Sequence, residues 1–170
     1  MSIKYSKSRT KEQKPGGQAA DVGQTTDVLD SKILKHLLAD SRLSYRTIAE
    51  MTGVSVGTVA ARIRQMEADG VIRRYTALLD YEKLGYQLSA LIELSVSKGR
   101  LMEVEQKVAR MPGVCCVYDI TGLTDALVVA KFRGRKELND FVKTLLAMPY
   151  VERTNTHMVL NTVKESFAPE

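Results

Sequence analysis

Tryptophan is absent, and tyrosine and phenylalanine together supply only 6% of the 170 residues, so any core must rest on aliphatic side chains. Cysteine is nearly absent. The two present, Cys115 and Cys116, are adjacent, cannot build a disulfide framework and point to a reducing environment. The two histidines, His36 and His157, have no Cys or His at metal-ligand spacing, so no metal site is expected. No apolar run approaches the ~20 residues needed to span a bilayer, and the first residues lack the apolar stretch of a signal peptide. No phosphate-binding loop or dinucleotide fingerprint occurs, so no cofactor is expected. Together these absences predict a soluble, cytoplasmic protein.

What is present is a modest basic excess, 25 Lys+Arg against 20 Asp+Glu, for a formal charge of +5. Most of it sits in residues 1–26, where Lys4, Lys7, Arg9, Lys11 and Lys14 face only Glu12 and Asp21. That segment is rich in Lys, Ser, Thr, Gln and Gly, with Pro15-Gly16-Gly17 at its middle, and is expected to be a disordered basic tail.

Order is expected from Asp27, a helix N-cap with Asp30 in the first turn, followed by Ile33, Leu34, Leu37 and Leu38 at helical spacing. Ser44 caps a short helix carrying Ile48 and Ala49 that stops at Thr52-Gly53. Ser55 caps a third helix to about Ala68, with Val59, Ile63 and Met66 on one side and Gly70 at its end. These helices define residues 27–72. Val71 to Leu78 reads as a strand, and 73–86 is a hinge strand and polar linker.

Residues 87–170 follow another rhythm. Leu88, Ala90, Ile92, Leu94 and Val96 alternate as a half-buried strand, and Leu101, Val104, Val108 and Met111 mark a helix stopped by Pro112-Gly113. Two β-rich runs, 114–121 and 126–133, flank Gly122-Leu123-Thr124-Asp125. A helix through Leu138, Phe141, Val142 and Leu145 and a last strand from Val151 to about Val163 complete the chain. Cys115 and Cys116 are expected on opposite sides of their strand, one of them buried. This βαββαβ order predicts a ferredoxin-like sheet with two helices on one face. Its other face then needs a partner, and a homodimer is the economical answer.

The fold class is thus α+β: an N-terminal helix-turn-helix, joined by the hinge strand to a ferredoxin-like half. Within residues 44–68, the small Gly57 and Ala61 and the polar Thr58, Arg62, Arg64 and Gln65 lie away from the apolar side of the third helix, which Ser55 caps. That face suits a major groove, while Ser44, Tyr45 and Arg46 are placed for backbone phosphates.

Asp27-x-x-Asp30-x-x-Ile33-Leu34, then Ser44-x-x-x-Ile48-Ala49-x-x-x-Gly53-Val54-Ser55, then Val59-x-x-Arg62-Ile63-x-x-Met66-Glu67-x-x-Gly70-Val71-Ile72, together with Gly122-x-x-Asp125, resemble the Lrp/AsnC family of feast/famine regulators. The resemblance spans roughly residues 27 to 165. It implies a winged DNA-binding domain, an amino-acid-sensing and dimerising domain, and assembly of dimers up to an octamer. The implied partners are double-stranded DNA with a pseudo-palindromic operator and a small-molecule effector, and the implied location is the nucleoid.

The resemblance puts the effector cleft at the 122–125 turn, where Asp119 or Asp125 would pair with an ammonium. Amides near Gly122 and the hydroxyls of Thr124, Thr154 or Thr156 would take a carboxylate, with Leu123 beside them. Gly122 is expected to permit close backbone approach. No nucleophile or base accompanies Asp119 and Asp125, so no catalytic residue is assigned. Two alternatives remain: an architectural DNA-compacting protein, and an enzyme similar to the siroheme decarboxylases, which the scarcity of histidine disfavours.

Overall fold

The computed structural model describes residues 26–168, so the tail predicted over residues 1–26 lies, but for Thr26, outside them. The described residues fall into two compact units, one ending at Thr76 and the other beginning at Ala77.

The first unit is three helices, α1 (Val28–Ala39), α2 (Tyr45–Thr52) and α3 (Val56–Ala68). Each begins on the cap expected for it. Asp27 accepts the Asp30 N–H at 2.9 Å while the Asp30 carboxylate accepts the Asp27 N–H at 3.2 Å, a reciprocal box that satisfies two otherwise orphaned donors. Ser44 and Ser55 accept the N–H groups of Thr47 and Thr58, each at 3.1 Å. Ile33, Ile48, Ala49, Val59, Ile63 and Met66 bury together, one set of side chains from each helix. Between α2 and α3 the chain turns at Gly53, whose φ of 73° is left-handed and cheap only for glycine.

The second unit is a four-stranded antiparallel sheet in the order β2-β3-β1-β4: β1 (Leu88–Val96), β2 (Val114–Asp119), β3 (Ala126–Phe132) and β4 (Val151–Met158). Helices α4 (Leu101–Val108) and α5 (Arg135–Leu146) cover one face. Ala90, Ile92, Leu94, Ala126, Val128, Ala130 and Phe132 point to that face and pack on Val104, Val108, Phe141 and Leu145. The Phe132 and Phe141 rings meet edge to face, 5.1 Å between centroids. Strict alternation sends Leu91, Glu93, Leu127, Val129 and Lys131 to the other face, which no helix or strand among the described residues covers.

Three expectations are corrected. Val71–Leu78 forms no regular strand, because a strand needs a ladder partner and no segment among the described residues pairs with it. The last strand stops at Met158 rather than Val163: its neighbour β1 starts at Leu88, and the Val159 N–H to the Ser89 carbonyl, 2.9 Å, is the final rung. Neither cysteine is in the core. Cys115 is exposed and Cys116 half-buried, because a bulge between Val114 and Cys116 breaks the alternation.

Candidate DNA-reading face and effector groove

On the outer side of α3, Gly57, Ala61, Arg64 and Gln65 are exposed and Thr58 and Arg62 are half-buried. Their side chains are not equally available. Arg64, like Arg46 at the start of α2, makes no hydrogen bond or ion pair among the described residues. Thr58 shares a 2.9 Å hydroxyl bond with the cap Ser55, as Thr47 does with Ser44 at 2.8 Å. Gln65 donates to both carboxylate oxygens of Asp69 at 2.9 and 3.0 Å. Tyr45 is exposed beside Arg46.

Arg62 is held inward. Its guanidinium lies 2.8 Å from Asp27 and 3.4 Å from Asp30, whose residue is 5% exposed. The α1 capping box thus doubles as an acidic clamp on α3. The Asp30 N–H held by the Asp27 carboxylate, and beyond it the Arg62 charge, draw the Asp27 carboxyl below its ordinary pKa. The two acids were legible as helix-start residues; their reach across to Arg62 was not, since 32 residues separate Asp30 and Arg62. Beyond α3, Tyr75 donates to Glu67 at 2.9 Å, and burial together with that bond pushes its hydroxyl up to about 12. Arg73 and Arg74, exposed nearby in sequence, have no ion-pair partner among the described residues.

The structure splits the constellation expected around the effector. Asp119 ends β2 and Thr154 and Thr156 lie in β4, on opposite edges of the sheet, with β3 and β1 between them. At ~4.8 Å per strand that is a separation of about 14 Å, too wide for one small ligand to bridge inside one chain. Thr154 and Thr156 pair with Leu94 and Ile92. Around the turn, Leu123 is fully exposed and Thr124 is buried. Asp125 is already engaged: its carboxylate accepts the Val96 N–H at 2.8 Å and its own N–H donates to the Leu94 carbonyl at 2.9 Å. It ties the turn to the end of β1. Gly122 has a φ of 134°, and nothing within 4 Å would meet a side chain there, so it serves backbone conformation rather than close approach.

A residue outside the sequence-based set lines a recess beside Asp119. Glu105, Gln106 and Ala109 of α4 and Val117 and Asp119 of β2 line an open groove of about 220 Å³. The Glu105 Oε1 is buried without a hydrogen-bond partner. Burial, and then the Asp119 charge, push the Glu105 carboxyl above its ordinary pKa. The hint in the sequence was its place beside Val104 on the helix flank; its neighbour Asp119 comes only from the α4–β2 packing.

A capped helix-turn-helix followed by a ferredoxin-like sheet unit defines a DNA-binding protein with a small-ligand domain. Residues 26–73 match the winged helix-turn-helix DNA-binding model and residues 89–169 the Lrp/AsnC ligand binding domain. An HTH-type transcriptional regulator of Pyrococcus furiosus is 50% identical over 85% of this chain and 97% of its own length. The HTH-type transcriptional regulator FL11 of Pyrococcus horikoshii is 38% identical over 82% and 93%. A transcriptional regulator of Neisseria meningitidis, solved as a complex with L-Met, superposes with a TM-score of 0.80 at 31% identity, over 86% of this chain and 97% of that one. The chain belongs to the Lrp/AsnC family and is a DNA-binding transcription regulator. Among the described residues no helix is long and apolar enough to cross a membrane.

Proposed function

We propose that the protein is an amino-acid-responsive regulator that reads a pseudo-palindromic operator as a dimer. The observation that carries this reading is the pairing, in one chain, of a helix-turn-helix with free outward cations and a ligand-binding domain like that of the L-Met complex. Arg64 and Arg46 are the available charges, with Gly57 and Ala61 leaving room for the groove. Ser44, Ser55 and Thr58 present capped helix ends, and Tyr45, Gln65, Arg73 and Arg74 flank them. Arg62, clamped by two carboxylates, positions α3 rather than reading a base.

Dimerisation uses the sheet face opposite α4 and α5. It exposes Leu91 and Tyr118 and half-exposes Leu127 and Val129, more apolar surface than a face in water favours. Two copies would also give 71–78 a chain to pair with, and could bring Thr154 and Thr156 of one copy toward the turn of another. Higher assembly, up to an octamer, and nucleoid association follow the same family reading.

The effector sits in the α4–β2 groove and at the 122–125 turn. An ammonium there would meet the unpaired Glu105 oxygen and Asp119, and a carboxylate the free turn amides. The effector acts only through its different affinity for the competing assemblies. Regulation, not catalysis, is the activity; Soret absorbance in the purified protein would instead favour a decarboxylase-like enzyme.

Thermal denaturation of the full chain against each amino acid tests this directly, since a ligand of the folded state raises Tm by mass action. The hit should then change binding to a footprinted operator whose half-sites are whole helical turns apart. No Tm shift with any amino acid overturns the effector reading. Equal affinity for the operator and random DNA favours an architectural protein.

A further inference from the structure

Beyond β4, residues 159–168 form no helix or strand, yet they are placed. The Val159 N–H donates to the Ser89 carbonyl at 2.9 Å, Glu165 pairs with the Lys131 ammonium at 3.2 Å, and the Ser166 hydroxyl accepts the Ala168 N–H at 3.2 Å. Lys131 is itself held: its ammonium lies 4.8 Å from the centre of the Tyr81 ring, and its side chain is only 12% exposed. Ser89 and Lys131 are register partners on β1 and β3, so the segment passes from the β4 side of β1 to β3, at the end of the sheet where β1 begins. Lys131 projects from the outer face, and Glu165 meets it there. The side chains that this placement leaves in water are apolar. Leu160, Val163 and Phe167 are 95%, 93% and 82% exposed, and none joins the core of the sheet unit. Single exposed apolar side chains are ordinary. Three large ones within eight residues, on a segment tied at Val159 and Glu165, form an apolar strip without a cover.

We propose that residues 159–168 are an arm that packs on the outer sheet face of a second copy of the chain. The inference rests on the dimer reading above and names the element that completes that interface. An arm tied at the rim of the outer face projects toward whatever lies over that face. The acceptor on the other copy is the apolar row of Leu91, exposed, with Val129 opposite it on β3 and Leu127 beside them. A two-fold interface uses the same patch on both subunits, so each copy gives one arm and receives one. The Glu165–Lys131 pair holds the arm in place before docking, which lowers the ordering cost of association.

Sedimentation velocity of the full chain over a concentration series reads the dimer dissociation constant. Val163→Asp and Phe167→Asp should each raise it by at least roughly tenfold, with the circular dichroism unchanged because neither side chain is in a core. Leu91→Asp, in the acceptor face, should raise it as well. A dimer weakened by Leu91→Asp and untouched by both arm variants overturns the arm and leaves the sheet-face dimer standing. A dimer that also survives Leu91→Asp, or a chain monomeric at every concentration, overturns the sheet-face reading and the arm with it. Direct contact is read with a photoreactive phenylalanine analogue at position 167, in a mixture of isotope-labelled and unlabelled chains. Crosslinks from one chain to peptides of another that contain Leu91, Leu127 or Val129 are expected; crosslinks within single chains alone overturn the proposal.

Discussion

All three helices of the DNA-binding unit start on a side-chain cap, at Asp27, Ser44 and Ser55, whereas neither helix of the sheet unit does: α4 starts at Arg100 and α5 at Gly134 with no side-chain cap bond. Among the described residues the first unit has only six buried hydrophobic side chains to hold three helices, so local hydrogen bonds help to fix each start and its entry angle. In the second unit the sheet does that work: Val104, Val108, Phe141 and Leu145 sink into a core of strand residues, and packing selects the helical segment. The difference shows that a helix-turn-helix is specified largely by neighbours in sequence, and a ferredoxin-like unit by residues far apart.

The strongest way to break that contrast is to cut each core. Ile63→Ala and Leu94→Ala, both at fully buried positions, should each cost about 2–5 kcal/mol in chemical denaturation of the full chain. A loss below about 1 kcal/mol at Ile63 would mean that the caps alone sustain the first unit.

Next come the two carboxylate anchors. Arg62→Ala leaves the buried Asp30 without its cation and should cost roughly 1–3 kcal/mol. The salt dependence of operator binding should change little. Arg64→Ala should do the reverse, keeping stability and lowering the salt slope by about one phosphate contact. In the sheet unit Asp125→Ala strands the Val96 N–H and should cost about 1–2 kcal/mol. Weaker effector binding in that variant must therefore be read against its stability.

Cap deletion is smaller. Ser44→Ala and Ser55→Ala should each cost ~1 kcal/mol, and Ser55→Gly only a few tenths. Equal losses for Ala and Gly would show that the hydroxyl bond is not what matters there.

The smallest effects are pH-dependent and opposite in sign in the two units. Asp27, with a lowered pKa, contributes stability that is complete above the ordinary carboxylate value and is lost as pH falls through the lowered one, below about pH 4. Asp27→Asn should flatten that acid limb. Glu105, with a raised pKa, favours the folded state while protonated and loses that contribution as pH rises through its raised value. Glu105→Gln should raise Tm slightly at neutral pH, and a lower Tm there would mean the carboxylate has a stabilising partner.

What the amino-acid order determined by itself were the features made by residues a few positions apart. The caps at Asp27, Ser44 and Ser55, the left-handed turn at Gly53, the apolar stripe of α3 and the βαββαβ succession all follow from hydrogen bonds and periodicities within one or two turns. Four features waited for the tertiary structure. Arg62, on the flank of the polar face of a helical wheel, is captured by acids from α1. Thr154 and Thr156 lie across the sheet from Asp119, because strand order is not sequence order. Glu105 meets Asp119 only through packing of α4 on β2, and Val114 and Val117 both reach the core only because β2 gains a residue against β3. Local chemistry chooses each element and its ends. Which side chains meet between elements depends on register and packing, and those are settled by burying the whole core at once.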